Sequence, residues 1–272
     1  GLRLLAPVLF LLCSMSPPYI AAQEGEAPSP YTSGWLRDGL ILSGSFGVGI
    51  TASALNDEIA PLTEQEVLAL SKDDINWLDR ATASNYSPDI SHTSDVLLGV
   101  TLALPITLAF DGRMDDDVGT LGLMYFETLM FATFLPSYGK GGVKRTRPFV
   151  YVPEAPMVDK LTPEARRSFF SGHACLAFSS AVFFATVYGD YYPNSTWKPY
   201  IWVGSLTAAT LVGAGRHFSG AHFPTDIIVG AAVGSLVGWG IPYLHRVDSD
   251  EGMSLIPTVS GSHIGLAMQM KW

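Results

Sequence analysis

The sequence predicts an all-α fold, a bundle of about six apolar helices. Composition comes first: 48% of the 272 residues are hydrophobic, only 15% are charged, and mean hydropathy is +0.26. Such a chain is not disordered, coiled-coil or collagen-like. Second, apolar stretches of 15 to 21 residues recur at 39–55, 96–110, 118–138, 171–188, 200–215 and 227–243. Third, these stretches are rich in Gly, Ala, Ser and Thr, which lets helices approach closely in lipid. A full membrane span takes about 20 residues. The stretches therefore read as membrane helices, with a soluble bundle of buried helices as the alternative.

Each segment has its own reading. Arg3 precedes an apolar run over 4–15, and the small residues Ala21 and Ala22 follow. That is the layout of a signal peptide or N-terminal anchor over 1–22. Residues 23–38, rich in Glu, Pro and Ser near their start, read as a linker. Residues 39–245 form the bundle. Within it, 56–95 carries nine acidic and two basic residues. Short surface helices are expected there, one of them opened by a Thr63–Glu66 capping box, and the charge reads as a solvated face. Glu127 lies inside the third stretch, where interior packing or capping is the expected role. The tail, 246–272, contains an alternating run over 263–272 that reads as a strand.

Several functions are excluded. A net charge of −9 and a pI near 5.0 argue against binding nucleic acid. Cys13 and Cys175 cannot make a disulfide framework. Neither C-x-x-C nor H-E-x-x-H occurs, so no metal site is expected.

Three spots carry chemistry. Lys140, Lys144, Arg145 and Arg147 place four cations in eight residues of an acidic chain. They suit either an anion site or membrane-flanking positive charge. Ser171, Gly172 and His173 open an apolar helix. Ser171 is placed to cap it, and the free N–H groups with the helix dipole attract an anion. Arg216, His222 and Asp226 form the third spot, with Pro224 suited to a helix first turn. Asp226 follows His222 by four residues, so one helix face can hold both. A carboxylate on one ring nitrogen fixes the tautomer and leaves the other nitrogen nucleophilic. In an alternating bundle all three spots reach the same end. Converging cations, a nucleophile and a proton donor suit phosphoryl transfer.

Lys140–Pro148 fits K-x6-R-P, Ser171-Gly172-His173 fits the end of P-S-G-H, and Arg216, His222 and Asp226 fit R-x5-H-x3-D. In this order they resemble the three signatures of the type 2 phosphatidic acid phosphatase family, which includes bacterial acid phosphatases and vanadium haloperoxidases. The resemblance covers 95–245. It departs at Phe170, where the family usually has proline, and at Gly215, where serine is usual. Phe170 is expected to loosen the turn before Ser171.

The resemblance implies a phosphatase with a histidine nucleophile. Lys140, Arg147 and Arg216 hold the phosphoryl oxygens, and Ser171 and the Gly172 N–H complete the cradle. His222 attacks phosphorus, Asp226 orients it, and His173 protonates the leaving oxygen. No cofactor is expected, vanadate entering only under the haloperoxidase reading. Lys144 and Arg145 are read as secondary, lipid-facing charges. His92, His217, His245 and His263 match no signature and are read as surface or packing residues. The expected substrate is a lipid phosphate: phosphatidic acid, phosphatidylglycerol phosphate, undecaprenyl pyrophosphate or lipid A. A soluble periplasmic acid phosphatase is the alternative. The expected location is a bacterial cell membrane with the active site facing the periplasm. Six spans after a cleaved signal would place the site inside, so one of those two elements is expected to behave otherwise.

Overall fold

The computed structural model describes residues 29–247, 253–260 and 263–270. The signal or anchor segment over 1–22 lies outside them. All six apolar stretches are helical. They lie in α1 (Trp35–Asp57), α3 (Pro88–Ala103, extended by a 3-10 turn through Phe110), α4 (Val118–Val143), α6 (Gly172–Tyr191), α7 (Lys198–Phe218) and α8 (Pro224–His245). Two short helices, α2 (Glu64–Ala69) and α5 (Met157–Lys160), lie in the connections. The α2 helix starts at the expected capping box: Glu66 N–H donates to Thr63 Oγ1 at 3.2 Å, and Thr63 N–H to Glu66 Oε2 at 2.7 Å.

The six long helices alternate in direction, and α6 is their hub, packing against α3, α4, α7 and α8. Two-thirds of its apolar window is buried, against a third or less for the four other helices apolar enough to cross a membrane. The closest pair is α6 with α8. Gly230, Gly234 and Gly238 form one stripe on α8. A Cβ on Gly234 or Gly238 would stand 2.2 Å from the carbonyl oxygen of Cys175 or Ser179. Only hydrogen fits there, and the two backbones meet as in other small-residue crossings.

Five helices are long and apolar enough to cross a membrane: α1, α3 with its extension, α4 with its preceding turn, α6 and α8. The α7 helix is not among them; Lys198, Thr207, Thr210, Arg216 and His217 dilute its apolar content. Large apolar side chains face outward along the helices, among them Leu40, Ile50, Val203, Leu211, Ile228 and Leu236. Water would penalise so much exposed apolar surface, whereas lipid does not. Exposed Trp35, Trp197, Tyr200, Trp239 and Tyr243 gather where α1 and α7 start and α8 ends. Aromatic rings at one level mark a membrane interface. The chain is a multi-pass membrane protein.

The tail forms a hairpin, β1 (Met253–Ser260) with β2 (His263–Met270), antiparallel with Met253 opposite Met270. The strand over 263–270 was legible; its partner was not.

Candidate active site

The three chemical spots meet at one end of the bundle, where α4 and α7 finish and α6 and α8 begin. Pro224 occupies the first turn of α8, and Asp226 Oδ2 closes that turn by accepting the Phe223 N–H at 3.0 Å. The glycine stripe brings α8 against α6, so that Ser171 N–H donates to the Asp226 carbonyl at 3.0 Å. The loop before α8 turns at Gly220, which has φ +75 and no room for a Cβ beside Asn85 O.

His222 is buried in that loop. Its Nδ1 lies 2.8 Å from the backbone carbonyl of Ser168. A carbonyl only accepts, so Nδ1 carries the proton and the neutral ring presents a bare Nε2. Burial pushes the imidazole pKa down to about 3, despite the opposing pull of Asp226. The expected bond from Asp226 to the ring is not made, because Oδ2 stands 3.8 Å from Nδ1. The carboxylate is taken up elsewhere: Oδ2 accepts the Ser168 hydroxyl at 2.5 Å, and Oδ1 accepts Arg145 at 2.5 Å. Asp226 thus acts on His222 through Ser168, whose carbonyl holds the ring.

Arg145 is not lipid-facing. Besides Asp226 it binds Asp79 Oδ2 at 2.7 Å and Thr225 Oγ1 at 2.8 Å, and its guanidinium lies 4.2 Å from the Phe223 ring centroid. Asp79 is fully buried and also accepts the N–H and hydroxyl of Thr225. Burial alone would raise its carboxyl pKa, but bonds from Thr225, Arg145 and Asn76 hold it below the usual range. The acidic segment is therefore not all solvated, since one of its carboxylates lies beneath the site. Asp79, Ser168 and Thr225 carried no sequence signal. Arg145 did, inside the basic run, but its neighbours could not be read from spacing. Lys144 ends α4 and faces Glu58 at 3.7 Å.

Cations surround the remaining wall. Arg147 donates to the Glu164 carbonyl at 2.9 Å and its carboxylate at 3.1 Å, and Arg167 takes the other carboxylate oxygen at 2.6 Å. Burial pushes the Glu164 carboxyl up, but the Arg167 hydrogen bond and the Arg147 charge hold it ionised, below the ordinary value. Lys140 shares this field with Arg147, Arg167, Arg216 and Glu164, and its Nζ points at Gly172. Lys140, Glu164 and Arg167 also line a cleft of about 390 Å³ that runs between α1 and α4 past Asn56 and Phe134.

Ser171 caps α6, its Oγ accepting the Ala174 N–H at 3.3 Å. Among the described residues the N–H groups of Gly172 and His173 have no acceptor. Two free donors at the end of a 20-residue helix, facing lysine and arginine, form an anion cradle.

His173 and Arg216 are joined by a residue with no sequence signal, Asp95. Its Oδ1 lies 2.8 Å from His173 Nε2 and 2.9 Å from Arg216. A carboxylate oxygen accepts, so His173 carries a proton on Nε2. Arg216 also donates to Ser91 Oγ at 3.1 Å.

Both departures from the signatures have local accommodations. Phe170 does not loosen the turn; it is buried against Ala132, Cys175 and Phe169. Gly215 faces Ser94, where a Cβ would approach to 2.7 Å. A serine there would push α3 away from α7. Of the remaining histidines, His92 is exposed and His217 bonds Thr82, while His245 is fully buried.

Residues 121–249 match the PAP2 superfamily. A lipid A 1-phosphatase of Porphyromonas gingivalis is 37% identical over 81 residues, which are 29% of this chain. Those residues span only 17% of that relative's length. Two crystal structures are similar in part. The first is a transmembrane PAP2 type phosphatidylglycerolphosphate phosphatase from Bacillus subtilis, at 21% identity and TM-score 0.43, covering 77% of this chain and 92% of that one. The second is LpxE of Aquifex aeolicus, at 22% identity and TM-score 0.38, covering 61% of this chain and 92% of that one. The segment that carries His173, Arg216, His222 and Asp226 lies within the match to the PAP2 superfamily.

Proposed function

We propose that the protein hydrolyses a phosphate monoester or pyrophosphate on a membrane lipid through a phosphohistidine on His222. The observation that carries the reading is the His222–Ser168 bond, which leaves a neutral Nε2 lone pair beside a cationic cradle. Lys140, Arg147, Arg216, the Ser171 hydroxyl and the Gly172 N–H receive the phosphoryl oxygens. Nε2 attacks phosphorus and the P–O bond to the lipid breaks. His173, entering the step as an imidazolium, gives its Nε2 proton to the departing oxygen and is left neutral. It then takes a proton from water, whose oxygen attacks phosphorus and breaks the P–N bond. Phosphate leaves and His222 is restored. Charge developing on the equatorial oxygens is met by fixed cations, which is the main source of rate in phosphoryl transfer.

A lipid substrate suits a site at the end of a membrane bundle. The Porphyromonas gingivalis relative is a lipid A 1-phosphatase, so lipid A heads the substrate panel. The reading places the catalytic end at the outer, periplasmic face of a bacterial membrane.

The test is phosphate release by purified protein, with and without chelator, and by a His222→Ala control. The panel holds lipid A, phosphatidic acid, phosphatidylglycerol phosphate, undecaprenyl pyrophosphate and a sugar phosphate. Release from a lipid that disappears in the control is expected. Release from the sugar phosphate alone would point to a soluble-substrate acid phosphatase, and none from any substrate would overturn the reading.

A further inference from the structure

A second group of ionisable side chains lies far from the catalytic end. His245 follows Asp226 by 19 residues on α8, about 28 Å along the helix axis. Asp38 from α1, Glu127 from α4 and His245 meet there, all buried, with one ligand atom from each lying within 4.8 Å of the other two. His245 Nε2 stands 3.3 Å from Asp38 Oδ1 and 3.3 Å from Glu127 Oε2.

The hydrogen-bond inventory of this cluster does not close. His245 Nδ1 donates to the Ile241 carbonyl at 2.9 Å, so its proton is there and Nε2 is a lone pair. Asp38 accepts Gly34 N–H at 2.8 Å and Arg37 Nε at 2.8 Å. The other guanidinium nitrogens of Arg37 turn to the Leu244 and Thr32 carbonyls. Both oxygens of Glu127, at 0% exposure, and His245 Nε2 have no hydrogen-bond partner among the described residues. Glu127 Oε2 and His245 Nε2 face one another with no donor between them, beside an Asp38 that is already paired with Arg37 and Gly34. Buried unpaired acceptors of this kind need a positive centre.

We propose that Asp38, Glu127 and His245 bind a divalent transition-metal ion, best matched by zinc. One imidazole nitrogen and two carboxylate oxygens form a borderline ligand set, unlike the all-oxygen shells of calcium or magnesium. The two carboxylates would face a divalent ion, with Arg37 paired to Asp38 beside them. Zinc bonds of about 2.0–2.1 Å set tetrahedral ligand atoms about 3.3–3.4 Å apart, which matches the separations of His245 Nε2 from Asp38 and from Glu127. A single proton shared by Glu127 Oε2 and His245 Nε2 would still leave Glu127 Oε1 without a partner among the described residues. The ion ties α1, α4 and α8 together at the non-catalytic end, so it is structural.

The test uses the full chain, purified in detergent without chelator. Elemental analysis should find about one zinc per chain. After stripping, zinc alone should raise Tm by roughly 5–10 °C at about 100 times its Kd. Cobalt in its place should give the visible absorption of a tetrahedral site. Glu127→Gln and His245→Asn should each lose the ion and the cobalt spectrum. Zinc retained equally by folded Glu127→Gln overturns the proposal, as does wild-type protein that holds no ion and whose Tm zinc leaves unmoved. The wild-type measurements decide the matter even if both variants fail to fold.

Discussion

His222 Nδ1 donates to the Ser168 carbonyl at 2.8 Å, and Ser168 Oγ donates to Asp226 at 2.5 Å. One serine thus fixes the ring through its backbone and reaches the carboxylate through its side chain. Ser168→Ala keeps the carbonyl and loses only the link to Asp226. We expect kcat to fall about 10–100-fold, the usual cost of removing an outer partner, with KM nearly unchanged. A drop as deep as that of His222→Ala, at least about 1,000-fold, would mean that the hydroxyl itself takes part in the reaction.

The buried ring titrates far below an ordinary imidazole, about 3 against 6.5. The acidic limb of kcat/KM should therefore not show a His222 ionisation near pH 6–7. Stability follows the same shift. Between pH 6.5 and about 3 the unfolded chain binds a proton at His222 and the folded chain does not. Folding stability should fall as pH is lowered through that window, by up to about 1.4 kcal/mol per pH unit from this group. Tm in detergent across pH, compared with His222→Asn, isolates the contribution.

Arg145 spans Asp79 and Asp226, both of whose side chains are at 0% exposure. Arg145→Met strands two buried carboxylates and should cost about 3–5 kcal/mol of stability. Combining it with Asp79→Asn should recover part of that loss, and chemical denaturation of the four proteins of the cycle measures it. Strict additivity would refute the coupling.

Glu164 bridges Arg147 and Arg167 through its two carboxylate oxygens. Glu164→Gln removes the negative charge that pairs both guanidinium groups, and we expect inorganic phosphate or vanadate to inhibit about tenfold more tightly. Unchanged inhibition constants would place Glu164 outside the anion's reach.

Asp95 accepts from both His173 and Arg216. Asp95→Ala should lower kcat by about 10–100-fold, since His173 loses its proton partner. Phosphate inhibition should tighten at the same time, as Arg216 is released. A fall in kcat together with weaker phosphate binding would show that Asp95 serves only to hold α3 in place.

Gly234 meets the Cys175 backbone, where a Cβ would stand at 2.2 Å. Gly234→Ala must part α6 from α8 and should cost about 1–3 kcal/mol. Activity should fall as well, because the same contact sets Ser171 against Asp226. Gly240→Ala, with open space at its Cβ, is the neutral control.

Some of this was legible in one dimension. The apolar stretches placed all six helices, and Thr63 with Glu66 marked the start of α2. Pro224 and Ser171 marked two helix starts at the site. These are local effects, set by residues within a turn of one another. The His222–Asp226 pairing was legible only as a neighbourhood, the two standing 3.8 Å apart without a direct hydrogen bond. Spacing gives a shared helix face, but His222 lies in the loop before α8, and the carboxylate turns to Arg145, 81 positions away in the chain.

The sequence by itself determined the helical bundle, the order of the three cationic and histidine-bearing spots, and their placement at helix ends. Hydrophobic period, capping and charge are written along the chain, so reading it suffices. Only the tertiary structure decided that Asp79 lies under Arg145, that Asp95 joins His173 to Arg216, and that Glu164 holds Arg147. It alone brought Asp38, Glu127 and His245 together from three helices. Contacts of this kind depend on how closely α6 and α8 meet and how the bundle rotates around them. That is set by summed packing over the whole chain, and no spacing along it encodes the result.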